Sequence, residues 1–401
     1  MRLQVWFRIW LLVSLAFADQ AFVGTASNGS LVLRPADGQQ LLLAGSDFSA
    51  LLAKLDKLDK LEAQVGALTQ QLADQQCMVA ADTTTITGLS GATKWRGGVL
   101  AGNGKIYGIP FNSASVLIID PTTNTADTTT ITGLSAPGKW WDGVLAGNGK
   151  IYGIPFASTS VLIIDPSTNT ADTTTITGLS VGSPKWNGGA LADNGKIYGI
   201  PQDSSSVLII DPATNTADAT TITGLSGSSK WIGGVLAGNG KIYGIPFASA
   251  SVLIIDPATN TADTTTITSL SGSGRWVGGV LAGNGKIYGI PYESASVLII
   301  DPTTNMADTT TITGVSENDC HGGVLGGDGK IYCIPHHSPS VLIIDPTTNT
   351  ADNTAITGLS GDAKWVGGVL AGNGKIYGMP FMSASVLIIQ QSCAVIRAKG
   401  L

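Results

Sequence analysis

Lys94 to Thr132 read KWRGGVLAGNGKIYGIPFNSASVLIIDPTTNTADTTTIT, and the fold follows from this stretch. Lys94–Ala101 and Lys105–Pro110 flank Asn103-Gly104, the pair that favours a two-residue type I′ hairpin turn. Ser115–Asp120 comes next, and Asp120-Pro121 opens a second tight turn in which Pro presets φ. Asp127–Thr132 closes the unit as a fourth segment. Val116-Leu117-Ile118-Ile119 is apolar without alternation, the pattern of a strand covered on both faces. The unit is therefore predicted to be a four-stranded antiparallel meander with no helix.

Working outward, the same unit recurs with a Tyr marking each copy: Tyr107, Tyr152, Tyr198, Tyr243, Tyr288, Tyr332 and Tyr377, at intervals of 44 to 46 residues. Such a period signals a solenoid or a propeller. Radial stacking of meanders covers both faces of every sheet, so the expected fold is all-β, a seven-bladed β-propeller of four-stranded antiparallel blades. The last copy runs out after Ile389 without an outer strand, and an unpaired one is left over at Asp82–Thr87. That leftover piece is expected to complete the final blade and close the ring.

Gly104-Lys105-Ile106-Tyr107, the eight residues between Gly98 and Tyr107, and Asp120-Pro121-Thr122-Thr123-Asn124-Thr125 resemble the kelch type of propeller repeat. Two kelch hallmarks differ: Ile109-Pro110 stands where a double Gly is usual, and Ala126 where a Trp is usual. The resemblance implies a propeller that binds partners, and it brings no catalytic residue with it.

The chain has 401 residues, of which 43% are hydrophobic and 12% charged, with a formal net charge of −6. That balance allows a large core and argues against disorder and against nucleic acid as a partner. Arg2 and Arg8 precede the apolar run Ile9–Ala18, which ends in small residues, so residues 1–18 read as a secretory signal cleaved after Ala18. The run is too short to span a bilayer. The mature chain is expected to be secreted, with no membrane span. Asn28-Gly29-Ser30 then offers a glycan acceptor at Asn28.

Residues 19–45 form a linker with short strands, and residues 46–76 change to helical composition. Leu51, Leu58, Leu61, Val65, Leu68 and Leu72 fall on the apolar seam of a heptad. A short coiled-coil stalk joining copies of the chain is the expectation, with a single amphipathic helix lying on the following domain as the alternative. Residues 77–393 are assigned to the propeller and 394–401 to a tail.

Variation among the seven copies points to where function sits. It gathers after the Trp of the first strand and after the Pro of the second, two places that a meander puts on one face. Arg96, Phe111, Trp141, Asn187, Gln202, Tyr292, His321 and His336 make up that candidate ligand face, since aromatic side chains are common binding anchors. Trp95 and its equivalents are expected to wedge neighbouring blades.

The sixth copy, Val315 to Ser340 (VSENDCHGGVLGGDGKIYCIPHHSPS), holds all three His of the chain together with Cys320 and Cys333. A two-residue turn at Asp328-Gly329 would set His321 opposite His336 and Cys320 opposite His337. Cys320, His321, His336 and His337 are then a candidate soft-metal group for zinc or copper. The alternative is a drifted blade without a cofactor. The resulting functional expectation is a secreted, non-enzymatic module that binds a protein or glycan, with a metal-assisted lyase or oxidase as the alternative.

Four Cys and an oxidising compartment suggest disulfide chemistry. Cys77 lies five residues before Asp82 and Cys393 four after Ile389. In the other copies an Asp-Pro turn links the corresponding strand ends, so a Cys77–Cys393 disulfide is expected to replace that link. Cys320 and Cys333 are left unassigned.

Overall fold

A computed structural model of the chain describes residues 22–25, 31–34, 41–43, 56–66 and 77–393, apart from 183, 271, 273 and 316–318. The signal segment, Asn28 and the tail lie outside the described residues. The chain divides into two units, Met1–Cys77 with Cys393–Leu401, and Met78–Ser392.

The first unit holds a three-stranded antiparallel sheet of Phe22–Thr25, Leu31–Arg34 and Leu41–Leu43. It also holds one short helix over 56–66. Leu58, Leu61 and Val65 of the predicted seam are 56%, 47% and 57% exposed on that helix. Leu51, Leu68 and Leu72 lie outside the described residues. Among the described residues, the predicted stalk contributes one helix of about three turns on which these apolar side chains are exposed.

The second unit is a seven-bladed propeller, each blade a four-stranded antiparallel meander. Blade one is Trp95–Leu100, Ile106–Pro110, Leu117–Asp120 and Thr125–Asp127. Blade seven takes Trp365–Leu370, Ile376–Pro380 and Leu387–Cys393 from one end of the unit and Cys77–Asp82 from the other. The ring is closed by this borrowed strand, as the leftover unit required.

The boundary of the outer strand differs from expectation. It ends at Asp127 in blade one, where Asp127–Thr132 was predicted, and at Asp82 in blade seven, where Asp82–Thr87 was. The reason is local: Asp127 Oδ1 accepts from Thr129 N at 2.7 Å and from Thr130 N at 3.2 Å, which curls the chain out of the ladder. Ile131 then turns inward, 4% exposed, into the core between blades one and two.

The first hairpin also differs. Gly104 N–H donates to Ala101 O at 3.0 Å, and Gly104 alone of the turn has positive φ, at 78°. That is an ordinary turn followed by a left-handed Gly, and it replaces the predicted mirror-image turn. It shifts the register by one residue, giving Val99 opposite Tyr107. A bulge then slips it again, so that Gly98 faces Gly108 but Trp95 faces Pro110.

Three kinds of contact recur between neighbouring blades, as blade one shows. Trp95 is 3% exposed in the core shared with blade seven, and its indole Nε1 donates to Ser115 O at 2.7 Å. The Trp residues are wedges, as expected. Tyr107 donates its hydroxyl to Asn169 Oδ1 of blade two at 2.7 Å. Lys94 Nζ donates to Phe381 O and Ser383 O of blade seven at 3.1 and 3.0 Å. Burial lowers that ammonium to about 8, which leaves it mostly charged at neutral pH.

Candidate functional site

The bulge in each first strand aims two residues at the propeller axis. The second of them is Gly in six blades: Gly97, Gly188, Gly233, Gly278, Gly322 and Gly367, all at positive φ. These glycines touch around the axis. A Cβ on Gly233 would stand 2.8 Å from Gly278 Cα, so the ring admits no side chain there. Blade two breaks the ring with Asp142, whose carboxylate lies where a Cβ on Gly97 would go. Asp142 Oδ1 accepts from Gly143 N at 2.8 Å, yet burial still raises the carboxyl to about 6.

The first bulge residue packs beside that ring near the axis, and in five of the seven blades it is buried. Arg96, Trp141, Asn187 and His321 occupy this position in blades one, two, three and six. Phe111, Phe156, Gln202, Tyr292, His336 and Phe381 follow the Pro of their second strands and surround them. The Arg96 guanidinium lies 3.5 Å over the Trp141 ring, 4.5 Å from Phe111 and 4.3 Å from Phe381. Trp141 in turn reaches across the axis to His321 of blade six, with ring centroids 5.7 Å apart. His321 contacts Tyr292 and His336 at 5.9 and 5.3 Å, and with His336 against Phe381 the aromatic circuit closes near the axis.

Ring and cation contacts bring six of the eight predicted residues together: Arg96, Phe111, Trp141, Tyr292, His321 and His336. Asn187 and Gln202 face each other, Asn187 Nδ2 donating to Gln202 Oε1 at 2.8 Å. Arg96 Nε and Nη1 are buried with no hydrogen-bond partner, as is Asn187 Oδ1. Burial lowers the guanidinium to about 9, which leaves it charged at neutral pH. Burial, then the charge on Arg96, holds His321 well below the usual imidazole range, so it is neutral. One fixed cation thus stands among rings, with no anion paired to it among the described residues.

The predicted metal group does not assemble as expected. The shifted register puts Cys320 opposite Pro335 and Gly323 opposite Cys333. Cys320 and Cys333 are instead buried in the core between blades five and six, both 0% exposed and free. They replace a Trp and a Gly that pack together elsewhere, as Trp140 does on Gly153, so two thiols fill the space of one indole. Burial, with Cys320 as a hydrogen-bonding neighbour, pushes the Cys333 thiol well up. The lost indole donor has a substitute as well: Ser338 Oγ donates to Ser340 O at 2.8 Å.

His336 and His337 meet Asp319 rather than Cys320. His337 Nδ1 stands 2.6 Å from Asp319 Oδ2 and 2.9 Å from His336 Nδ1. His321 keeps to the aromatic circuit. The sequence reading missed Asp319 and Asp142, although both had a signal. Each is the only acidic residue at a position that is otherwise Lys or Arg, or otherwise Gly, across the seven copies.

Cys77 and Cys393 terminate the two strands that pair at the seam of blade seven. Their side chains lie outside the described residues. A separate hollow of about 270 Å³ lies by Leu225, Lys230 and Trp231. Its cation is already engaged, Lys230 Nζ donating to Gln202 O, Ser204 O and Gly227 O.

Fold and ring contacts together define a seven-bladed propeller with a packed aromatic cluster and one cation near its axis. Residues 143–322 match the model of a repeat of unknown function, DUF6923. None of the curated proteins is similar in sequence. Among solved structures, a streptogramin B lyase is similar with a TM-score of 0.63 at 10% identity, covering 80% of this chain and 99% of its own. The extracellular domain of BT4673, a hybrid two component system of B. thetaiotaomicron, reaches 0.59 at 9% identity, covering 92% of this chain and 46% of its own. An auxiliary nutrient binding protein from Bacteroides ovatus reaches 0.50 at 12%, covering 79% and 78%. These likenesses establish the propeller fold alone and carry no kelch assignment.

Proposed function

We propose that this chain is a non-enzymatic binding module that takes an anionic, ring-bearing ligand, a carboxylated sugar unit of a glycan, at this aromatic cluster near the axis. One observation carries the reading: the Arg96 guanidinium, held between Trp141, Phe111 and Phe381, with Nε and Nη1 buried and unpartnered. A planar cation fixed in this way is preorganised for a carboxylate, and flanking rings suit the apolar face of a sugar. The test is calorimetric titration with a uronate oligosaccharide and its neutral counterpart. Arg96→Met keeps the stacking volume, and it is expected to weaken uronate binding by roughly 10- to 100-fold, the worth of a charged hydrogen-bonded pair. Lys105→Ala, at the hairpin end of blade one, is expected to leave binding unchanged. Equal losses in both variants, or equal affinity for the neutral sugar, would sink the reading.

The rest of the proposal concerns presentation. The apolar run at residues 9–18 supports export, and no described helix is long and apolar enough to cross a membrane. The exposed Leu58, Leu61 and Val65 support self-association through residues 46–76, since so short a helix is marginal alone in water. Light scattering of the mature chain at micromolar concentration is expected to give an oligomer, and removal of residues 46–76 a folded monomer. The pairing of the strands that end in Cys77 and Cys393 supports a disulfide at the seam of the ring.

A further inference from the structure

Blade six departs from the other blades at linked positions, and three of the departures converge. Where the other copies carry a buried cation such as Lys94 or Lys364, blade six carries Asp319. Where blade one has Phe111 and Asn112, it has His336 and His337. The chain pairing that places Lys94 beside Phe111 in blade one places Asp319 beside His336 here, with His336 N–H donating to Asp319 O at 2.9 Å.

The side chains then crowd around one point. His337 Nδ1 is 2.6 Å from Asp319 Oδ2 and 2.9 Å from His336 Nδ1, and His336 Nδ1 is 3.7 Å from Asp319 Oδ1. A ring nitrogen has one in-plane direction, taken by a proton or by a lone pair, so His337 Nδ1 cannot bond fully to both neighbours. Asp319 Oδ1 is buried with no hydrogen-bond partner at all. Two imidazole nitrogens and a carboxylate thus share too few protons for the contacts they make.

We propose that Asp319, His336 and His337 bind a divalent transition-metal ion, for which zinc is the natural fit. Zinc bonds of ~2.0–2.2 Å to nitrogen and oxygen set neighbouring donors roughly 3 to 3.5 Å apart. The observed separations of 2.6 to 3.7 Å bracket that spacing, and side-chain shifts of under about 1 Å complete it. The ion takes over the contacts that protons cannot serve, and it engages the orphaned Asp319 Oδ1. Three protein ligands leave a coordination position open. The His337 side chain, 41% exposed, keeps the point accessible from solvent. The carboxylate matters electrostatically as well, because a Lys at 319 would repel the ion. This site differs from the metal group expected from sequence: Asp319 takes the place of Cys320, and His321 is not a ligand.

The experiment uses the tag-free chain, stripped of metal and titrated with Co²⁺ as a spectroscopic probe and then with Zn²⁺. One Co²⁺ per chain is expected, with a visible absorption band that Zn²⁺ abolishes. Asp319→Lys, His336→Phe and His337→Asn together rebuild what blade one carries, and that variant is expected to fold and show no band. His337→Ala, at an exposed residue, keeps the test open should the triple variant not fold. It is expected to weaken binding by more than about 100-fold, since loss of a ligand outweighs the ~10- to 100-fold loss from an outer partner. An unaltered band in His337→Ala, or no uptake by the unaltered chain at millimolar Co²⁺, would overturn the site.

Discussion

A chain that begins at Thr83 is expected to lose blade seven as a stable sheet and to unfold roughly 10 °C or more below the full chain. Cys77–Asp82 supplies the fourth strand of that blade from the far end of the unit. Val79 and Ala81 pack on the core between blades six and seven, with Leu387 and Ile389. Removing the strand exposes that apolar surface, at about 2 kcal/mol for a side chain of Val size, and unpairs a row of ladder bonds at about 1 kcal/mol each. Several kcal/mol are lost in all, at about 2 °C or more per kcal/mol for a domain of this size. The informative control begins at Thr83 and continues past Ile389 through a copied Asp-Pro-Thr-Thr-Asn-Thr-Ala-Asp turn and strand. It is expected to regain the lost stability, because every other blade is joined that way. Equal melting temperatures for the full and shortened chains, read by circular dichroism, would show that six blades and three strands suffice. Peptide mapping of the full chain without reductant reads the proposed Cys77–Cys393 bond in the same preparation.

Asp142→Asn is expected to stabilise the propeller at pH 8 and to change nothing near pH 3.5. Burial raises the Asp142 carboxyl from the ordinary 3.8 to about 6, so the folded state favours the proton. The contribution of this group to stability is whole below about pH 4 and is lost as pH climbs through about 6. A rise of about two pKa units corresponds to roughly 3 kcal/mol of destabilisation at pH 8, which the amide does not suffer. Asp127, Asp172, Asp218, Asp263 and Asp308 behave oppositely. Thr hydroxyl and N–H donors lower each to about 2, so their support fades as pH falls toward that value. Comparing the two proteins cancels those groups. Urea unfolding from pH 3.5 to 8 is the measurement, and a difference that stays flat across that range would mean that water near the axis solvates Asp142 fully.

The axial position of Asp142 shows why part of the site could be read early and part could not. The residues that vary among copies were visible as variation, and a meander has only two ends, so their common face followed from strand order. Their grouping into one circuit depends on closing seven blades into a ring, which brings Trp141 of blade two to 5.7 Å from His321 of blade six. No local rule relates residues 180 positions apart. Cys320 shows the converse. Its chemistry suggested a metal ligand, and its place in the first strand turned it into the inter-blade core in place of a Trp.

The sequence by itself determined the blade, the number of blades and the way the ring shuts. A period of 44 to 46 residues, alternation of turn and strand residues, and a missing last strand are local or countable features, and together they single out a closed propeller. Only the tertiary structure decided register and convergence. A left-handed Gly104 and a bulge at Gly97 together slip the pairing by two residues, and that small slip sets Asp319 beside His336 in place of the expected His321. The physical reason is that side-chain direction in a strand reverses with every residue, so chemistry at a hairpin depends on a turn geometry whose energies differ by less than composition can reveal.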